Sequence, residues 1–186
     1  MSPRRHVRAH NRSCGAAAVE TVLLLPLLVL LALPVADLAR ALQARLILDA
    51  ISREGASLAA RGTLPLQDAS QSIMDTLAAT APPLDLRQDG MLFVSRILGG
   101  TSGPLLLEQQ RWLGGGHDAA VSIAACASWN AAGRCVLQAG PVALDADATP
   151  DDGEIVHAFE AHYRFRPWLA GLLPGLETDM HAITLF

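Results

Sequence analysis

The chain changes its hydrophobic rhythm twice. Residues 16–36 (AAAVETVLLLPLLVLLALPVA) have none, being apolar nearly throughout, with Glu20 as the sole charge. A run of that length matches the roughly 17–25 residues a helix needs to cross a bilayer. Pro26 and Pro34 would disrupt the interior of a soluble helix, whereas membrane helices tolerate proline. From residue 37 a helical period sets in and runs to residue 61. Leu38, Leu42 and Leu46 form one stripe, with Ile47, Ile51 and Leu58 alongside and charges between. Gly62 can end this extension. Thr63-Leu64-Pro65 can open a second helix, with Leu66, Ala69, Ile73 and Leu77 on one face and Pro82-Pro83 as its stop.

Beyond Pro83 the period shortens to two. Met91–Leu98 reads as a strand closed by Gly99-Gly100, and Leu105–Leu113 as another, followed by three glycines. Ile155–Arg166 is the clearest strand. Its odd positions run Ile155, His157, Phe159, Ala161, Tyr163, Phe165, and its even positions from Glu160 are all polar. This alternation predicts one buried and one wet face. Met180–Phe186 makes a final strand, and the acid-rich stretch 145–154 a solvated loop. The expected architecture is therefore α+β. A long N-terminal transmembrane helix continues into a small antiparallel-sheet domain.

Composition narrows the function. All 14 basic residues are arginine, so chemistry that needs a lysine is excluded: the Walker-type phosphate loop, the Schiff base and the Ser-Lys dyad. The charge is also divided. Arg4, Arg5, Arg8 and Arg12 stand without an acid in residues 1–15, whereas residues 62–186 carry six arginines against fourteen acids. A nucleic-acid binder would put positive charge on the folded part, so no nucleic-acid partner is expected. Arginine-rich flanks stay in the cytoplasm, which predicts a cytoplasmic N-terminus and an external domain. A cleaved secretory signal is a competing reading, but its apolar run is usually 7–15 residues and a small-x-small cleavage site is weak here.

The segment Arg12-Ser13-Cys14-Gly15-Ala16-Ala17-Ala18-Val19-Glu20 is the most specific feature. A glycine closes a basic leader, and a glutamate follows inside the apolar run. A carboxylate in the centre of a membrane helix costs about 2.5–3.5 kcal/mol on insertion scales, so it is normally kept by something that pairs with it. Alternatively, Glu20 lies about 6 Å of helix rise beyond Ala16 and snorkels to the interface.

The pattern resembles a prepilin processing signal. Gly15–Arg40 (GAAAVETVLLLPLLVLLALPVADLAR) is similar to the start of TadE-like proteins of the tight-adherence (Flp) pilus system. These carry Gly-Ala-Ala-x-Val-Glu, a leucine-rich span with a Leu-Pro and an acid-x-x-Arg exit, here Asp37 and Arg40. Tyr163-Arg164-Phe165-Arg166-Pro167 resembles the family's C-terminal strand with its aromatic-x-x-x-Pro ending. Position 21 is threonine, where the family usually has an aromatic residue. The resemblance implies a pseudopilin in the bacterial inner membrane. Its parts would be a cytoplasmic leader (1–15), a span (16–36), a helix extension (37–61) and a periplasmic, pilin-like domain (62–186). It implies cleavage by a prepilin peptidase between Gly15 and Ala16, with Glu20 meeting the new amine of a neighbouring subunit. Implied partners are that peptidase, other pseudopilins or a TadG-like protein, and the pilus assembly platform.

The remaining residues suggest no catalysis. Cys126 and Cys135 lie nine apart across Trp129, Asn130 and Gly133. They read as a disulfide if the domain is in an oxidising compartment, and as two buried thiols otherwise. His157 and His162 differ in strand parity and cannot share a metal, and His117 and His181 lack neighbours at ligand spacing. No Gly-x-Ser-x-Gly elbow occurs, and Gly99-Gly100-Thr101-Ser102-Gly103 reads as a turn. Hence no enzyme activity, metal, cofactor or small-molecule substrate is expected. Two rival readings are a signal-anchored periplasmic binding or sensory domain, whose anchor is passive, and a secreted enzyme behind a long signal peptide.

Overall fold

The computed structural model describes residues 13–61, 69–136, 141–142, 144, 149–171 and 175–186. The predicted span and its extension form a single helix, α1 (Ser13–Arg61), which continues through Pro26 and Pro34. Next come α2 (Ala69–Ala79) and the short α3 (Leu86–Asp89). Strands β1 (Gly90–Leu98), β2 (Leu105–Arg111), β3 (Ile155–Phe165) and β4 (Thr178–Leu185) form one antiparallel sheet in the order β2-β1-β3-β4. The α+β layout is thus the expected one. The proposed start of the second helix, Thr63 to Pro65, lies outside the described residues, as do residues 145–148 of the acid-rich stretch.

The C-terminal half of α1 lies across β3 and β4. Ala44, Leu48, Ile51, Ser52, Ala56 and Ala59 are buried at helical spacing and meet Phe159, Ala161 and Ala182 of the sheet. Each large apolar side chain so buried contributes on the order of 1.5–3 kcal/mol. Small residues set how close the helix lies. A Cβ built on Gly55 would stand 2.6 Å from the Phe159 ring. Ser52 Oγ and Thr184 Oγ1 share a hydrogen bond of 2.9 Å that ties α1 to the edge strand. In α2, Met74 and Leu77 are buried, with Ile73 half-buried beside them. Gln71 joins α2 to β2, donating to the Arg111 carbonyl and accepting from the Leu113 amide.

The structure assigns the faces of α1 and corrects one expectation for β3. The stripe Leu38, Leu42, Leu46 does not pack on the sheet; these residues are 60–69% exposed. The packed face starts instead at Asp37 and passes through Ala44 and Leu48. The even face of β3 is not wet at its centre either. Glu160 and His162 are buried, because Ala119–Ala124 folds over them as an irregular cover. On the odd face Phe159, Ala161 and Phe165 are buried as expected, whereas Ile155 at the start of the strand is 42% exposed.

The closeness of Gly55 to Phe159 generates a prediction opposite to helix propensity. Gly-to-Ala in a helix interior ordinarily stabilises by about 1 kcal/mol. Here Gly55→Ala overpacks the helix–sheet seam and should destabilise by about 1–3 kcal/mol. Urea unfolding of the detergent-solubilised protein measures the sign, and a raised midpoint would refute the close contact.

Candidate functional site

The surface of α1 carries the candidate function. From Val19 to Leu31 its large apolar residues are exposed on every side, and the most apolar 18-residue window has a mean hydropathy of 2.5 and is 6% buried. This one helix is long and apolar enough to cross a membrane. Gly15 and Ala16 lie in its first turns. Glu20 follows as an exposed residue within the apolar surface. The exposed apolar face continues past the span along Val35, Leu38, Leu42 and Leu46, at steps of three and four residues.

The helix meets its domain at Asp37, the first buried residue along α1 after the span. Its carboxylate accepts the Trp168 amide at 2.8 Å and the Leu169 amide at 3.0 Å. These amides open the 3₁₀ turn Trp168–Gly171, directly after Pro167. The Arg40 guanidinium donates to Asp37 at 3.0 Å and lies over the rings of Phe165 and Trp168, 5.4 and 4.5 Å from their centroids. Burial by itself would raise the Asp37 carboxyl, but the Leu169 and Trp168 amides and Arg40 together hold it below its ordinary value. The clamp is therefore fully formed at neutral pH and weakens only as acid protonates Asp37. The two sequence features noted at opposite ends of the chain, Asp37-x-x-Arg40 and the aromatic-rich segment before Pro167, thus meet in space. The pairing spans 131 residues, which no local pattern could reveal.

A second carboxylate organises the far face of the sheet. Glu160 is fully buried and accepts the amides of Ser122 and Ile123 at 2.7 and 3.1 Å, with His162 Nε2 at 3.1 Å. His162 stands edge-on to Phe93 and stacks on its β4 partner His181. His117 is buried with Nε2 3.3 Å from Asp179, and desolvation lowers its pKa. Sequence reasoning left these histidines unconnected because strand register and the covering loop bring them together. Among the described residues, no three His, Cys, Asp or Glu side chains are grouped to hold a metal ion. Cys126 and Cys135 form a disulfide with Cα atoms 5.7 Å apart, which closes the loop carrying Trp129. Trp129 in turn packs against Phe93 of β1.

Helix, sheet and clamp define a class: a small α+β domain carried on one helix of membrane-spanning length. Within that class, residues 15–57 match the family model described as TadE-like protein. The match contains Gly15, Ala16, Glu20, Asp37 and Arg40, and it ends before the sheet begins. No curated protein and no solved structure matches the chain.

Both buried carboxylates can be tested. Asp37→Ala leaves two amides and Arg40 without their acceptor, which should cost about 1–3 kcal/mol and loosen the 168–171 turn. Limited proteolysis after Leu169 should accelerate in D37A and not in a surface control such as Asp152→Ala. Glu160→Gln replaces a pure acceptor by a half-donor facing two N–H groups and should likewise lower stability, by about 1–3 kcal/mol. An unfolding midpoint unchanged from wild type would show that the loop does not depend on Glu160.

Proposed function

We propose that this chain is a TadE-like pseudopilin. It takes part in assembling a tight-adherence pilus through helix-to-helix association at the inner membrane, and it performs no chemistry of its own. One observation carries the reading. Beyond residue 36, α1 has two faces: Asp37, Ala44 and Leu48 are buried against the domain, while Leu38, Leu42 and Leu46 are bare. Leu46 lies about 14 Å of helix rise past Asp37, too far for the hydrocarbon core to cover. An apolar stripe held at that height fits a neighbouring helix. The match over residues 15–57 supports the same conclusion, since it covers the helix and not the sheet.

In this reading the leader stays cytoplasmic and the sheet is periplasmic. A prepilin peptidase cuts after Gly15. The new amine of Ala16 on one subunit meets Glu20 on the next, offsetting the cost of a carboxylate in lipid. Partners are a second pseudopilin or a TadG-like protein, then the assembly platform. The disulfide agrees with an oxidising compartment.

Two measurements test this. Intact mass from native membranes should show a chain starting at Ala16, with Gly15→Leu retaining Met1. Wild type and variant both starting at Met1 would reject processing. Glu20→Leu should keep the protein in the membrane at normal abundance while cutting surface pili at least tenfold. Unchanged piliation would instead identify a passive anchor.

A further inference from the structure

The 3₁₀ turn at Trp168 presents a surface that pilus assembly does not require. Trp168 is the largest exposed apolar side chain of the sheet domain, 59% open, although its backbone is fixed by Asp37. Leu176 is also exposed. No residue between Arg166 and Glu177 is charged. The two flanking charges are tied down at the base: Arg166 bonds Asp89 at 2.7 Å and reaches Glu177 at 3.6 Å. Among the described residues beyond that base, Trp168 and Leu176 are the exposed large apolar side chains.

The position of this surface is set by the chain itself. Residues 16–36 give about 30 Å of helix, the thickness of a hydrocarbon core. Asp37 is the next residue, so whatever it holds sits at the lipid–water boundary. It holds Trp168, the side chain type most enriched at that boundary, with an apolar ring and one polar N–H. Arg40, paired with Asp37, lies over the Trp168 ring and fixes it at this height.

We propose that the Trp168–Gly171 turn, with Leu176, rests in the bilayer interface and makes a second membrane contact for the external domain. The occupant is lipid of the same bilayer that α1 crosses, so the inference rests on the reading of α1 as a span. The contact would hold the sheet down against the membrane surface and fix the rotation of α1, which decides where Leu38, Leu42 and Leu46 point. Because a bilayer is always present, the contact would exist before any partner arrives.

The test uses the full-length chain in phosphatidylcholine–phosphatidylglycerol vesicles at high lipid-to-protein ratio. Acyl chains carry bromine either near the headgroup or near the chain end. Bromine near the headgroup should lower emission by up to about a third, the share of one tryptophan in three. Bromine near the chain end should have much less effect, a comparison that needs no variant. Trp168→Phe should abolish the difference. Equal quenching of wild type and W168F overturns the proposal. So does a Trp168 shielded from acrylamide but untouched by bromine, which would mean that a second copy covers it. Alkaline carbonate extraction of the same vesicles separates the two failures. Release of the protein refutes the span and this proposal with it, whereas retained protein with unquenched Trp168 refutes this proposal alone.

Discussion

A carboxylate buried where a helix of membrane-spanning length meets its domain needs donors close at hand, and Asp37 takes them from the far end of the sequence. Two amides of the turn after β3 and one guanidinium satisfy it. The rest of the architecture depends on this junction. Above it, α1 is an exposed apolar surface long enough to cross a membrane. Below it, the same helix is one layer of a soluble core. The junction adds to the apolar seam of Leu48, Ile51, Ala56 and Ala59 and ties the turn after β3 to α1. With it, helix and sheet form one rigid body whose apolar face is aimed.

The core below the junction is arranged for closeness more than for bulk. Gly55, Ala56 and Ala59 let α1 approach β3, while Leu48 and Ile51 fill the gaps beside them. Among the described residues, the opposite face of the sheet has no helix. An irregular cover replaces it, pinned by the buried Glu160 and stiffened by the Cys126–Cys135 bridge. Backbone amides of an irregular segment need acceptors once they leave water, and one carboxylate serves two of them. A buried acid in the centre of a sheet is thus explained by the loop above it.

Much of this was legible in the residues. The unbroken apolar run predicted α1, and period-two alternation located β1 and β3 within a residue or two. Gly15 and Glu20 stood out as a glycine closing a basic leader and the sole charge of the apolar run, whereas Asp37 and Arg40 were marked by the resemblance to TadE-like proteins. Other parts were not legible, for physical reasons. Periodicity identifies an apolar face but not what covers it, so the stripe Leu38, Leu42 and Leu46 could be seen in the sequence but not that it is bare. Alternation in β3 could not foretell an aperiodic cover over Glu160 and His162. The bond from Asp37 to the Trp168 turn crosses nearly the whole chain, and only the fold could disclose it.

The central claim is that α1 beyond the span is two-faced, one side fixed to its own domain and the other left for neighbouring helices. Single cysteines placed from residue 37 to 48, in a Cys14→Ser background, read this directly by oxidative cross-linking in native membranes. Dimers at positions 38, 42 and 46, with none at 44 and 48, are the predicted result. Cross-links spread evenly around the helix, or absent from those three positions, would contradict the account.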